Sequence, residues 1–288
     1  MNAILGLVVT IGMVFGGYLL AGGHMEIIMH ALPFEGMMIG GAAIGAFLAS
    51  NDFNTIKHTG GDLMAAITGP KWKKTDYQDL LCLMHELLNT LKANPVDIEA
   101  HIEAPHESAI FTKYPKILKD HDAIDMICDT LRSMIMNFDN VHQVEELLEK
   151  SLDSLLEEKL HGSHALQNMA DALPALGIVA AVLGVIKTMA SIDKPPEILG
   201  GMIGGALVGT FLGVFLAYGV VGPFAEKVKH TRKEEHNFYS MIGEVLVSNL
   251  HRNPVNICVE VARRHAPARV RPSFDEMDQA IRSLKQAA

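Results

Sequence analysis

Two stretches near the far end of the chain, ALPALGIVAAVLGVIKTMAS at residues 172–191 and ILGGMIGGALVGTFLGVFLAYGVV at 198–221, are separated only by IDKPPE. Each reaches the roughly 20 apolar residues that a helix needs to cross the hydrocarbon core of a bilayer. The single charge within them, Lys187, lies close enough to an end to snorkel toward the headgroups. In the second stretch Gly201, Gly205, Gly209 and Gly213 recur every four residues, which puts them on one ridge of a helix. Such a ridge lets another helix approach closely, and it predicts a packing face. Thr210 is a lone hydroxyl amid this apolar surface.

Working outward, Ala3–Leu20 is a second uncharged run, followed by Ala21, Gly22 and Gly23. It has no Lys or Arg ahead of it, as a secretory signal would, so it reads as a retained first span with Gly12 and Gly16 as its close-packing face. A further span is predicted over Phe34–Ser50, entered past Pro33 and Glu35, with paired GxxxG spacings at Gly36/Gly40 and Gly41/Gly45. The expected fold is all-α, with four transmembrane helices in two hairpins and a large helical cytoplasmic region. Its expected divisions are 1–50 (helices one and two), 51–171 (a helical loop), 172–223 (helices three and four) and 224–288 (a helical tail).

Composition agrees with a mixed membrane and aqueous architecture: 49% of residues are hydrophobic, 20% charged and 6% aromatic. A net charge of −9 with no basic stripe argues against nucleic acid as a partner. Cys82, Cys128 and Cys258 form no CxxC pair and read as reduced, buried small hydrophobes. Of the 24 Lys and Arg residues, 11 fall in 51–171 and 11 in 224–288, whereas 21–33 holds none. Basic residues are retained on the cytoplasmic side, so the long loop and both termini are expected in the cytoplasm and the short turns outside.

The loop reads as helices over about Thr75–Ala93, Lys116–Met136 and Val141–Leu160, with a break near His161, Gly162 and His164. The tail reads as helices over Ala225–Leu250 and Val255–Arg264, then one announced by the capping box Ser273/Glu276. No catalytic constellation is present. His85-Glu86 lacks the second His of a zinc protease motif, Asn89 standing in its place, and Gly200–Gly205 has neither a preceding strand nor GK[ST]. Residues 36–50 match 200–214 at nine of fifteen positions, with Ala46 opposite Thr210; convergence on a glycine-rich alphabet and duplication of a hairpin both account for this. With Glu35 and Asp171 placed at span edges, no span holds a central carboxylate. Ions do not rest unpaired in hydrocarbon, so either the chain conducts nothing or a partner supplies the carboxylate; a glycine ridge facing a missing helix favours the partner.

The runs ALPALGIVAAVLGVI (172–186), VGTFLG (208–213) and AYGVVGP (217–223), with VFGGYL (14–19), ESAIFTKYP (107–115) and RPSF (271–274), resemble the MotA family of flagellar stator subunits, within the wider MotA/TolQ/ExbB group. The resemblance implies a pentameric homo-oligomeric ring in the lipid of the bacterial inner membrane, around MotB-like single-span partners whose helix carries an aspartate. The work implied is ion-driven torque on a FliG-like rotor protein, without an enzyme's chemistry or any cofactor. Pro174 and Pro223 match family prolines near the cytoplasmic ends of spans three and four, Thr210 the threonine that faces the aspartate, and Ala181 the position where alanine accompanies protons and threonine sodium. A site without that hydroxyl favours protons, since sodium needs several oxygen ligands. Tyr218 is placed at the cytoplasmic exit. Glu99 matches the family's acidic rotor-facing residue; its basic companion falls on Leu91, with Lys92 adjacent as a substitute. The rival readings are an ExbB/TolQ-like energiser, which typically has three spans, a secondary transporter of duplicated hairpins, and a passive scaffold.

Overall fold

The computed structural model describes residues 2–136 and 140–287. Its order is α1 (Asn2–Leu20), α2 (Met25–Ser50), α3 (Phe53–Thr68), α4 (Lys74–Ala93), α5 (Pro95–Glu103), a 3₁₀ turn (Phe111–Lys113), α6 (Pro115–Leu118), α7 (His121–Met136), α8 (Val141–Met189), α9 (Pro196–Phe215), a π-helical turn (Leu216–Val221), α10 (Gly222–Leu250), α11 (Val255–His265) and α12 (Phe274–Ala287). The described residues contain no strand, and four helices are long and apolar enough to cross a membrane. The chain forms two compact units, residues 1–69 with 159–231, and residues 70–158 with 232–288.

The first unit holds the four apolar helices. Phe15 of α1 meets Phe211 and Phe215 edge-on at centroid distances of 5.9 and 5.5 Å, the favoured geometry for aromatic pairs. α3 is capped by Asp52, whose side chain accepts from the Thr55 amide at 3.1 Å, and it ends at Gly69 in the left-handed region (φ +91°). Its buried Thr59 and Asp62 lie against Gly162, where any Cβ would run into the Asp62 carboxylate. Gly162 therefore serves close approach to α3, and the break expected at 161–164 is absent: α8 continues for 49 residues. α2 also departs from expectation. It starts at Met25 and contains Pro33, so the turn after α1 shrinks to 21–24. Ile27, Ile28, Ala31 and Leu32 ahead of the proline keep helical spacing, and Pro33 costs α2 one backbone hydrogen bond without ending it.

The second unit has its own apolar core. Trp72 stacks on Phe238 with centroids 3.9 Å apart, Tyr77 meets the same ring edge-on at 5.4 Å, and Leu80, Leu81, Leu83, Met84, Leu87 and Leu88 of α4 are fully buried. The three cysteines are free and buried within it; burial pushes the Cys82 and Cys128 thiols up to about 12, which keeps them protonated and unreactive. The helix expected over 116–136 is interrupted because buried Asp120 leaves the helical path to cap the start of α7. Its Oδ1 accepts from the Ala123 amide at 2.9 Å at the start of α7, while Tyr239 and Lys71 donate to the same carboxylate. His85 and Asn89 bond to each other, and Glu86 pairs with Lys113 and accepts from the Tyr114 hydroxyl at 2.8 Å, so the protease-like pair is structural.

The capping box at α12 is present in both directions. The Ser273 amide donates to Glu276 at 2.6 Å, and the Glu276 amide to Ser273 Oγ at 3.2 Å. Loss of such a cap costs about 1 kcal/mol. Ser273→Ala is expected to raise hydrogen exchange of the first-turn amides of α12 about fivefold, the factor that corresponds to that energy, and unchanged exchange would show that the cap adds nothing.

Candidate functional site

Small residues on both sides make the seam between α8 and α9. A Cβ on Gly177 would lie 2.8 Å from the Gly209 carbonyl and 3.0 Å from Gly213 Cα, and one on Gly184 would meet Ala206 at 2.6 Å. Ala180 faces Gly209. Residue 177 thus lies opposite 213 and 184 opposite 206, an antiparallel register held over two turns. On its other side α9 runs parallel to α2, with Ile27 against Gly204, Ala31 against Gly205 and Glu35 against Gly209. The glycine ridge is therefore not left open for another protein. Gly209 and Gly213 are buried by the chain's own α8 and by Glu35, Gly205 is half-buried, and only Gly201 is exposed. Gly177 and Ala180 supply the matching small face within the same hairpin.

Glu35 is the main correction to the sequence reading. It is 6% exposed, a Cβ on Gly209 would lie 2.5 Å from its Oε2, and among the described residues nothing hydrogen-bonds that oxygen. Gly209 sits midway along the 198–221 run, so the carboxylate lies within the helix bundle and not at its edge. The reason is the upstream extension of α2, which carries Glu35 ten residues into a helix. Sequence could have found it from the apolar spacing ahead of Pro33.

A cavity of about 630 Å³ lies between this carboxylate and the turn end of the bundle. It is lined by Glu26, His30 and Glu35 from α2, by Lys187 and Thr188 from α8, and by the Gly201–Gly205 stretch of α9. Lys187 shares this cavity with Glu35, while the Thr188 hydroxyl is already committed to the Gly184 carbonyl at 2.9 Å.

Thr210 and Ala181 are both half-exposed, and the register sets them at the same height as Gly209 and Glu35. The hydroxyls of Thr10, Thr188 and Thr231 donate to the carbonyl four residues back; among the described residues the Thr210 hydroxyl has no partner. Pro174 is half-buried in the interior of α8. Pro223 is exposed and follows the π-helical turn, in which the Gly222 amide reaches the Ala217 carbonyl five residues back. A proline lacks the amide that would continue the α ladder and its ring crowds the carbonyl four residues earlier; a widened turn accommodates both. Pro223 thus marks a change of helical pitch inside a continuous helix. Exposed Tyr218 lines a second cavity of about 330 Å³ with Thr10, Pro223 and Lys227.

In the second unit Glu99 is exposed on α5, and Lys92 is exposed at the end of α4 with its Nζ donating to the Asn253 carbonyl at 3.0 Å. Leu91 is buried. Among the described residues neither charge forms an ion pair. No group of three His, Cys, Asp or Glu side chains is placed to hold a metal ion among them either.

A family model described as Motility protein A N-terminal matches residues 4–95, and one described as the MotA/TolQ/ExbB proton channel family matches 121–241. Motility protein A of Salmonella typhimurium is 37% identical over 286 residues, covering 99% of this chain and 96% of that one. The chain belongs to the MotA family. Motility protein A of Escherichia coli is related to the same degree, and the chemotaxis protein LafT of Vibrio parahaemolyticus is 34% identical over 96% of the chain. Two solved structures share the fold: C. jejuni MotAB, at TM-score 0.71 and 17% identity over 95% of this chain and 98% of that one, and the MotAB stator complex from Bacillus subtilis, at 0.67 and 19% over 96% and 98%. As a MotA family member the chain is a multi-pass inner-membrane protein and a flagellar stator subunit of a proton-channel family, not an enzyme.

Proposed function

We propose that this MotA-like chain assembles as a pentameric ring around a MotB-like single-span partner, passes protons inward and steps the ring so that its cytoplasmic unit pushes on a FliG-like rotor protein. The observation that carries the reading is the unpartnered Thr210 hydroxyl on the half-exposed face of the α8–α9 hairpin, at the height of Ala181. A hydroxyl at that depth needs a partner, and a carboxylate on the partner's helix fits it. Alanine at 181 adds no oxygen ligand, which suits protons better than sodium. The Tyr218 cavity, beside Pro223 and Lys227, suits a cytoplasmic exit, and the balance of Lys and Arg supports both termini in the cytoplasm. Glu99 and Lys92 are the rotor-facing charges; as exposed groups each is worth at most about 1 kcal/mol in a pair, so the contact spreads over several. Alanine scanning of these exposed charges is not the decisive test for that reason.

The test is motility itself. Deleting the chain is expected to stop swimming, and restoring it is expected to give a speed that ignores sodium at fixed pH and collapses with a proton ionophore. Unimpaired swimming after deletion would point instead to an ExbB/TolQ-like energiser or to a passive scaffold. Speed that tracks sodium would overturn the proton assignment alone.

A further inference from the structure

We propose that Glu35 is a proton-carrying station on the stator subunit itself, fed from the outer solution through the cavity that Glu26, His30 and Lys187 line. The inference rests on the stator reading and adds to it a group supplied by this chain, ahead of any carboxylate on a partner. Four observations converge. Glu35 is buried, and its Oε2 has no hydrogen-bond partner among the described residues, which a carboxylate tolerates only where water or a proton reaches it. A cavity of about 630 Å³ leads to it, room for a file of waters. The titratable groups form a ladder: exposed Glu26 and His30 precede Glu35 by nine and five residues on α2, which at 1.5 Å per residue sets them about 13 and 8 Å nearer the turn end. Finally, the carboxylate rests on Gly209, the residue before Thr210, so the station ends at the height where the partner's acid is expected.

Each element around the cavity has a part. α2 supplies Glu26 and His30, which gather and pass protons, and α8 supplies Lys187, the one cationic side chain on the wall of α8. α9 contributes no titratable group and only small residues, Gly201 and Gly205, beside Met202. The step is a simple transfer. A proton from cavity water binds Glu35 Oε2, neutralising it, and then leaves for the partner's carboxylate, restoring the charge; no electron or other bond changes. Gly209 leaves room for this placement, since a Cβ there would lie 2.5 Å from Oε2 and displace the carboxylate.

The experiment uses the chain purified with its single-span partner and reconstituted into vesicles carrying an inward proton gradient and an internal pH dye. Wild-type flux tests the stator reading; its absence would sink that reading, whatever Glu35 does. Given wild-type flux, Glu35→Gln is expected to co-purify with the partner and to lower flux about tenfold or more, the scale of losing a proton-transfer group. Glu35→Asp, which keeps a titratable oxygen, is expected to conduct and to shift the dependence of flux on outer pH. Wild-type flux and an unmoved pH profile in Glu35→Gln would overturn the proposal. If Glu35→Gln does not co-purify, the exposed double variant Glu26→Gln/His30→Gln decides: reduced flux at alkaline outer pH supports the ladder, and unchanged flux overturns it.

Discussion

Gly213→Val is expected to remove the protein from the membrane and, with it, all swimming. A Cβ at this position would lie 2.6 Å from the Leu173 carbonyl and 2.8 Å from Gly177 Cα, so it meets backbone on the facing helix, which has no rotamer to give. The branched side chain adds two further atoms to that clash. The helices would have to separate over the whole seam, since Ala180/Gly209 and Gly184/Ala206 depend on the same register. Overpacking of a close seam costs about 1–3 kcal/mol where neighbours can shift, and more where they cannot. Gly201→Val provides the control. Nothing lies within 4 Å of a Cβ there, so its membrane level should match wild type. Immunoblots of membrane fractions and a swim-plate assay are sufficient, and a wild-type level for Gly213→Val would show that the seam is not as close as described.

The second large effect concerns movement and not assembly. Pro174→Leu should leave membrane level and co-purification with the partner intact while abolishing swimming. Pro174 lies inside α8, where it denies the Ala170 carbonyl its usual donor, one residue from the Leu173 carbonyl that abuts Gly213. Leucine restores the donor and removes a constraint on the bend, and a half-buried site accepts its volume. A straighter, more regular helix is stable, which is why assembly survives; what is lost is the uncommitted carbonyl and the freedom to flex beside the proposed ion site. Normal swimming in this variant would show that Pro174 has no mechanical part.

Much of the fold was legible because the sequence carries it in long-range composition. Four apolar runs, their glycine spacings and the capping box at 273–276 depend on local pattern, and all are present. What the sequence did not reveal depends on neighbours. Gly162 and Pro33 read as helix breakers, yet one serves close approach by Asp62 and the other is carried within α2 at the loss of one hydrogen bond. A start of α2 at Phe34 puts Glu35 at an edge and leaves a partner as the only source of a carboxylate, whereas the observed start at Met25 puts it in the interior. The glycine ridge was recognised, but not what covers it, because periodicity says which residues share a face and not which helix meets that face. Asp120 was hidden in the same way: its buried position follows from Tyr239 and Lys71, far away in sequence. Thr210 stands out in the sequence as a lone hydroxyl, the roles given to it, Ala181 and the two prolines rest on resemblance, and the structure adds their height and exposure.

The turn over Leu216–Val221 has one further consequence. A π-helical turn holds one residue more than an α turn, and each residue advances a helix by about 100°. Were the extra residue passed along the helix, every side chain between its old and new positions would rotate by that angle while the axis and the hydrogen bonding stayed whole. Pro223 bounds the surplus on one side, and Phe215, packed on Phe15 and Phe211, bounds it on the other. The turn therefore sets a fixed phase offset, which decides the side chains that α10 presents relative to those of α9.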